Sequence, residues 1–146
     1  MHLSRDQCKR LLLGALNHEL ERHHAVCIGF VIMPDHVHSL IWFHETGQLS
    51  SFIRDWKRSS SRSIKLYLLE QSEVIRTFLD EDPIWQKRFY SFEIESEEKM
   101  EEKLTYMHMN PVKKGLVERI VDWRWSSARF YELGKSVGVP IGWPKL

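Results

Sequence analysis

His36 and His38 are separated by one apolar residue in the run Met33-Pro34-Asp35-His36-Val37-His38-Ser39-Leu40-Ile41-Trp42-Phe43. The run reads as strand, and a strand has period two, so both imidazoles leave one face. Two neighbouring imidazoles on a rigid strand make half of a metal site. Ordinary buried histidines share this spacing, so the pair alone is a weak signal. A second component lies far downstream, at Tyr106 and Asn110. This phenol and this amide are four positions apart in a helical stretch and so lie one turn from each other on a common face.

The elements that must position these groups are readable around them. Ala25 to Met33 is a continuous apolar run with β-branched content, which predicts a buried strand. Pro34-Asp35 signals a turn, and a second strand runs from His36 to Phe43. The two pair as an antiparallel hairpin at the centre of a sheet. On the second strand His36, His38, Leu40 and Trp42 share one face, and Val37, Ser39, Ile41 and Phe43 the other. With both faces mostly covered, this strand is expected to be central.

Three helices are expected. Ser4 to Arg22 carries Leu12, Ala15, Leu16 and Leu20 at helical spacing, with Ser4 as cap. His18, His23 and His24 near its end read as cations at a helix C-terminus or as solvated side chains, rather than as ligands. Ser51 to about Glu70 is the second helix, with Ser50 or Ser51 as cap, an apolar edge of Phe52, Ile53 and Trp56, and weakening at Ser59-Ser60-Ser61. Arg54, Arg58, Arg62 and Lys65 share one face of it. Such a stripe is ordinarily a solvated surface. Here it is purely basic and interleaved with serines, which also suits a face that tracks phosphates.

The third helix, Ser96 to Asn110, has Ser96 as cap, Glu97 and Glu98 in its first turn, and Met100, Leu104 and Met107 as apolar contacts. Pro111 is expected to end it. Gln71 to Pro83 reads as a short helix or a loop. Trp85 to Ile94 interleaves aromatic and basic residues and reads as a core strand or as a platform for stacking bases. A basic turn follows the third helix at Lys113 and Lys114, and the glycine- and proline-bearing tail from about residue 133 is expected to be irregular.

The chain has 146 residues, enough for one compact domain over 1–146 with a real core. Its formal charge of +1 neither requires nor excludes a nucleic-acid partner, so any polyanion contact must come from local patches. Cys8 and Cys27 lack metal-type spacing and suggest buried thiols in a reducing compartment. There is no signal-type N-terminus and no run near the ~20 apolar residues that cross a bilayer, so a cytoplasmic protein without a membrane partner is expected.

Tyr106-Met107-His108-Met109-Asn110-Pro111-Val112-Lys113-Lys114-Gly115-Leu116-Val117, together with Met33-Pro34-Asp35-His36-Val37-His38, resembles the IS200 type of transposase. The chain looks most like the REP-associated tyrosine transposase branch, which Trp85-Gln86 and Trp125-Ser126-Ser127 also fit. The resemblance runs from about Leu11 to Tyr131. It implies an α+β fold of the ferredoxin-like nuclease type, a central antiparallel sheet with flanking helices. It also implies cutting and rejoining of single-stranded DNA through a 5′-phosphotyrosine. Carried onto this chain, His36 and His38 become metal ligands, Asn110 takes the place of the third ligand, and Tyr106 becomes the nucleophile.

Two imidazoles and an amide oxygen suit Mg²⁺ or Mn²⁺. Such a cation neutralises a phosphodiester as a Lewis acid, while covalent catalysis conserves the bond for rejoining. Lys103, Lys113 or Lys114 would help the phenol ionise. The DNA contacts would come from the Arg54, Arg58, Arg62 and Lys65 stripe, from Trp85, and from Lys113 and Lys114. A hairpin flanked by single strand is the substrate that this branch implies, with the protein acting as a monomer or a homodimer. In the family a strand usually precedes the first helix, whereas here the helix begins almost at once. Either the start is truncated or the sheet is one strand poorer, and a missing strand would expose an edge or weaken the metal site. That departure motivates the alternative of a non-catalytic hairpin-binding relative, and an unrelated hydrolase using His36 and His38 is a third reading.

Overall fold

A computed structural model describes residues 2–71 and 96–144. The chain is α+β. Helix α1 (Asp6–Arg22) leads into strand β1 (Val26–Ile32), strand β2 (Val37–Trp42) and helix α2 (Leu49–Gln71). Helix α3 (Glu97–Lys113) and the short α4 (Ala128–Leu133) follow. The expectations for Gln71 to Pro83 and for Trp85 to Ile94, including Trp85 as a DNA contact, fall almost wholly outside the described residues.

β1 and β2 form the expected antiparallel hairpin, with Val31 opposite His38 and Gly29 opposite Leu40. It closes over Pro34 and Asp35, where Met33 N donates to His36 O at 2.8 Å. An irregularity between Cys27 and Gly29 shifts the alternation by one residue. Cys27, Phe30 and Ile32 therefore face one side, while Ile28, Val31 and Met33 face the other. On the first side they pack with α1 and α2 through Leu12, Leu16, Phe52, Trp56 and Ile64. On the second they meet Met100, Leu104 and Met107 of α3. Gly29 lets α3 come close, because a Cβ there would stand 2.2 Å from Leu104 Cδ1.

Among the described residues the sheet has two strands, and β1 rather than β2 is enclosed on both sides. The outer edge of β1 is sealed from the C-terminal part of the chain. Ile32 N donates to Trp125 O at 2.8 Å, Ser127 N to Phe30 O at 3.0 Å, and Gly142 N to Cys27 O at 3.0 Å. Trp123 Nε1 donates to Ile32 O at 3.0 Å, and Tyr131 OH to Ile28 O at 2.6 Å. The outer edge of β1 is thus hydrogen-bonded by these segments, as buried backbone requires. The irregular tail takes part in this, and its Val137 and Val139 are buried in the core of the α1–α2 face.

Three helix ends differ from the sequence reading. Ser4 does not cap α1. It ends a 3-10 turn anchored by the buried Leu3, and Arg5 takes the cap position without a side-chain bond. Ser50 and Ser51 lie inside the first turn of α2 rather than before it. Pro111 does not end α3, which runs on to Lys113. The stop is a Schellman arrangement: Leu116 N donates to Pro111 O at 2.9 Å and Gly115 N to Val112 O at 3.0 Å. Gly115 supplies the positive φ of 73° that this stop requires. Ser96 does cap the other end, its side chain accepting from Lys99 N at 3.2 Å.

Candidate active site

The hairpin and α3 bring the sequence-distant groups together. The rings of His36 and His38 stand at 4.8 Å between centroids and 90° between planes. The Tyr106 ring lies 6.1 Å from that of His38, edge-on at 83°. Tyr106 is 54% exposed, so the residue is open to solvent. Lys113, two turns further along α3, holds its Nζ 5.2 Å from the Tyr106 ring centroid. Asn110 is buried on the same helix, and among the described residues no hydrogen bond joins its amide to either imidazole.

The turn before β2 orients the first imidazole. Asp35 Oδ1 lies 2.6 Å from His36 Nδ1. That contact takes up Nδ1 and leaves Nε2 as the nitrogen that could bind a cation, the usual carboxylate–histidine support of a ligand. The hydrogen bond to His36 holds the Asp35 carboxyl below the usual carboxylate range, with a smaller contribution from the Lys114 charge. Burial, then the neighbouring His36, pushes His38 below the ordinary imidazole value. A neutral imidazole keeps the lone pair that a cation needs. The donor chemistry of the pair therefore fits a divalent ion.

The sequence reading missed the groups that hold α3 at this distance. His108, two residues after Tyr106, points away from the site into the core, where its Nε2 lies 2.7 Å from Ser127 Oγ. Phe30 N donates to the same hydroxyl at 3.0 Å. Burial pushes His108 down to about 4, so at neutral pH its ring is uncharged where it meets the Ser127 hydroxyl. A chain of short bonds thus runs from α3 through Ser127 to the backbone of β1, the partner strand of His38. The Trp125-Ser126-Ser127 motif was the available signal, but nothing in its spacing says that it meets Phe30.

The basic stripe of α2 is where the sequence places it: Arg54, Arg58, Arg62 and Lys65 are all exposed. α2 packs on the sheet face opposite to α3, so these side chains do not join the His36–His38–Tyr106 cluster. Lys113 and Lys114 are also exposed, at the end of α3.

Residues 2–110 match the family described as Transposase IS200 like. A Haemophilus influenzae protein named "Putative REP-associated tyrosine transposase" is 28% identical over 146 residues, covering 94% of this chain and 81% of that one. A REP-associated tyrosine transposase of Escherichia coli is 26% identical over 99 residues, covering 68% of this chain. The aligned part is 52% of that longer protein. A solved structure of a REP-associated tyrosine transposase bound to a REP hairpin superposes with a TM-score of 0.66 at 23% identity. That match covers 92% of this chain and 72% of the other.

Proposed function

Because the chain belongs to the IS200-like transposase family, we propose that it cuts and rejoins single-stranded DNA through a covalent bond to Tyr106. The observation that carries this is the meeting of the Tyr106 ring with the His36–His38 pair, His38 at 6.1 Å. The protein would act as a monomer or a homodimer.

In this reading the imidazoles of His36 and His38, with Asn110 as a third donor, hold one Mg²⁺ or Mn²⁺. That cation would supply Lewis-acid neutralisation of the phosphate charge. Asp35 keeps His36 in the tautomer that donates through Nε2. The Tyr106 oxygen attacks the phosphorus in line, the bond to the 3′ oxygen breaks, and a 5′-phosphotyrosine and a 3′-hydroxyl result. The Lys113 ammonium sets a positive charge beside the ring on which phenolate charge develops. Attack by a 3′-hydroxyl on the phosphotyrosine reverses the step and rejoins a strand.

The substrate we assign is a hairpin with single-stranded flanks. The exposed α2 stripe and the Lys113-Lys114 pair supply phosphate contacts. Among the described residues no helix is long and apolar enough to cross a membrane, and we place the protein in the cytoplasm with DNA. The alternative, a non-catalytic hairpin-binding relative, is motivated by the missing strand before α1, where residues 2–4 form a 3-10 turn.

Incubation with a labelled hairpin oligonucleotide and Mn²⁺ tests the reading. Nicking that requires the metal and disappears in Tyr106→Phe is expected. Binding without nicking would favour the non-catalytic relative, and nicking that persists in Tyr106→Phe would favour a hydrolase.

A further inference from the structure

On the opposite side of the sheet, the last turn of α1 packs against α2. There Glu19, His23 and Asp55 bring three potential ligand atoms within 4.8 Å of one another. Glu19 and His23 are four apart, so their side chains stack one turn from each other. His23 Nε2 lies 3.3 Å from Glu19 Oε2 and 3.1 Å from Asp55 Oδ2. Donors bound at about 2.1 Å to one cation stand roughly 3.0–3.4 Å apart in octahedral or tetrahedral geometry. Two of the three separations already have that value.

Glu19 is the group that asks for an explanation. It is 2% exposed, and its Oε2 has no hydrogen-bond partner among the described residues. A buried carboxylate oxygen without a hydrogen bond is costly, and this one converges with His23 Nε2, 3.3 Å away, and with Asp55. The nearest cation is the Arg22 guanidinium, 3.6 Å from Glu19 Oε2 and 3.4 Å from Asp55 Oδ2. The Arg22 side chain is 60% exposed and is free to turn into solvent. Arg54 contacts the other Asp55 oxygen at 3.4 Å and leaves Oδ2 available. Burial alone would push the Asp55 carboxyl up. The hydrogen bond from His23 and the charges of Arg22 and Arg54 outweigh it, and the group is held below the usual range.

The geometry points to a second divalent-cation site, in which Glu19, His23 and Asp55 bind Zn²⁺ and clip α1 to α2. Two carboxylates and one neutral imidazole balance the charge of the ion, and the donor set is one that Zn²⁺ accepts with a water in the remaining position. The ion takes over the charge-neutralising role of Arg22 and satisfies the orphaned Glu19 oxygen. It braces α2 at the turn where the basic stripe begins. None of its ligands belongs to the His36–His38 pair, so the site stands whether or not that pair binds metal.

The test counts Zn²⁺ by equilibrium dialysis in the full chain carrying His36→Ala and His38→Ala. One tight equivalent should remain and should raise Tm. Adding Glu19→Gln, or separately Asp55→Asn, should remove both the equivalent and the Tm shift. Loss of all Zn²⁺ binding in the double variant would overturn the proposal, as would an equivalent that survives both added changes. X-ray absorption of the bound Zn²⁺ needs no further variant. One imidazole in its coordination shell is expected, and two would overturn the assignment.

Discussion

The ring of His38, on β2, and the ring of Tyr106, on α3, meet edge to face at 6.1 Å between centroids. Neither element contacts the other by sequence proximity. The distance is set by β1, which pairs with β2 on one side and is fastened to α3 through Gly29, Ser127 and His108 on the other. Geometry at the site is therefore a property of how α3 is seated on the hairpin.

Removing donors should alter the metal requirement before it alters DNA binding. His38→Ala is expected to abolish Mn²⁺-dependent nicking of a hairpin oligonucleotide, without recovery at high Mn²⁺. Asp35→Ala removes only the support of His36 Nδ1. It should raise the Mn²⁺ concentration for half-maximal nicking by about 10–100-fold. An unchanged Mn²⁺ requirement in both variants would count against the pair as ligands.

The α2 stripe predicts a salt effect. Arg58 and Arg62 are exposed and lie one turn apart. If each neutralises one phosphate of a single strand, Arg58→Gln with Arg62→Gln should lower the slope of log K against log salt by about 1.4. Fluorescence anisotropy of a labelled hairpin across a salt series measures it. A slope that does not move would make the stripe an ordinary solvated face.

Seating can be disturbed without touching the site. A Cβ at Gly29 would stand 2.2 Å from Leu104 Cδ1 and 2.9 Å from Ser127 Oγ. Gly29→Ala should cost about 1–3 kcal/mol in urea unfolding. It should also slow nicking, because α3 must lift away from the hairpin. Leu104→Ala in the same chain should give back part of both losses, a coupling that a double-mutant cycle reads directly.

His108 predicts a dependence on pH. Burial brings it down to about 4 in the folded chain, against about 6.5 when exposed. The folded value is the lower one, so this contribution is fully present above about pH 6.5 and is lost as pH falls toward 4. The loss is on the order of 3 kcal/mol. Urea unfolding of wild type and His108→Gln between pH 7 and 4 should show the wild type losing stability more steeply. Parallel curves would contradict a buried neutral His108.

The hairpin was legible because its apolar run, its Pro34-Asp35 turn and its alternating second strand are local signals that agree. The face assignment along β2 followed from period two alone. The seat of α3 was not legible, because it depends on a hydroxyl from Ser127 reaching Phe30, and no local pattern encodes such a contact. Pro111 was misleading for a related reason. Proline disfavours the helical region for its predecessor, yet α3 keeps Asn110 helical and ends one turn later, at Gly115, where a left-handed residue is available. His23 read as a solvated cation because its partner Asp55 comes from another helix. The bonds that residues 123–142 make to the outer edge of β1 were not legible either, because they join segments about 100 positions apart.

The central claim is that the phenol oxygen of Tyr106 becomes bonded to DNA phosphorus. The direct measurement is mass spectrometry of the protein after reaction with a hairpin oligonucleotide and Mn²⁺, followed by nuclease and protease digestion. A peptide containing Tyr106 that carries a 5′-linked nucleotide, on that residue alone, is the predicted result. A nucleotide found on another side chain, or nicked DNA with no linked peptide at all, would contradict it.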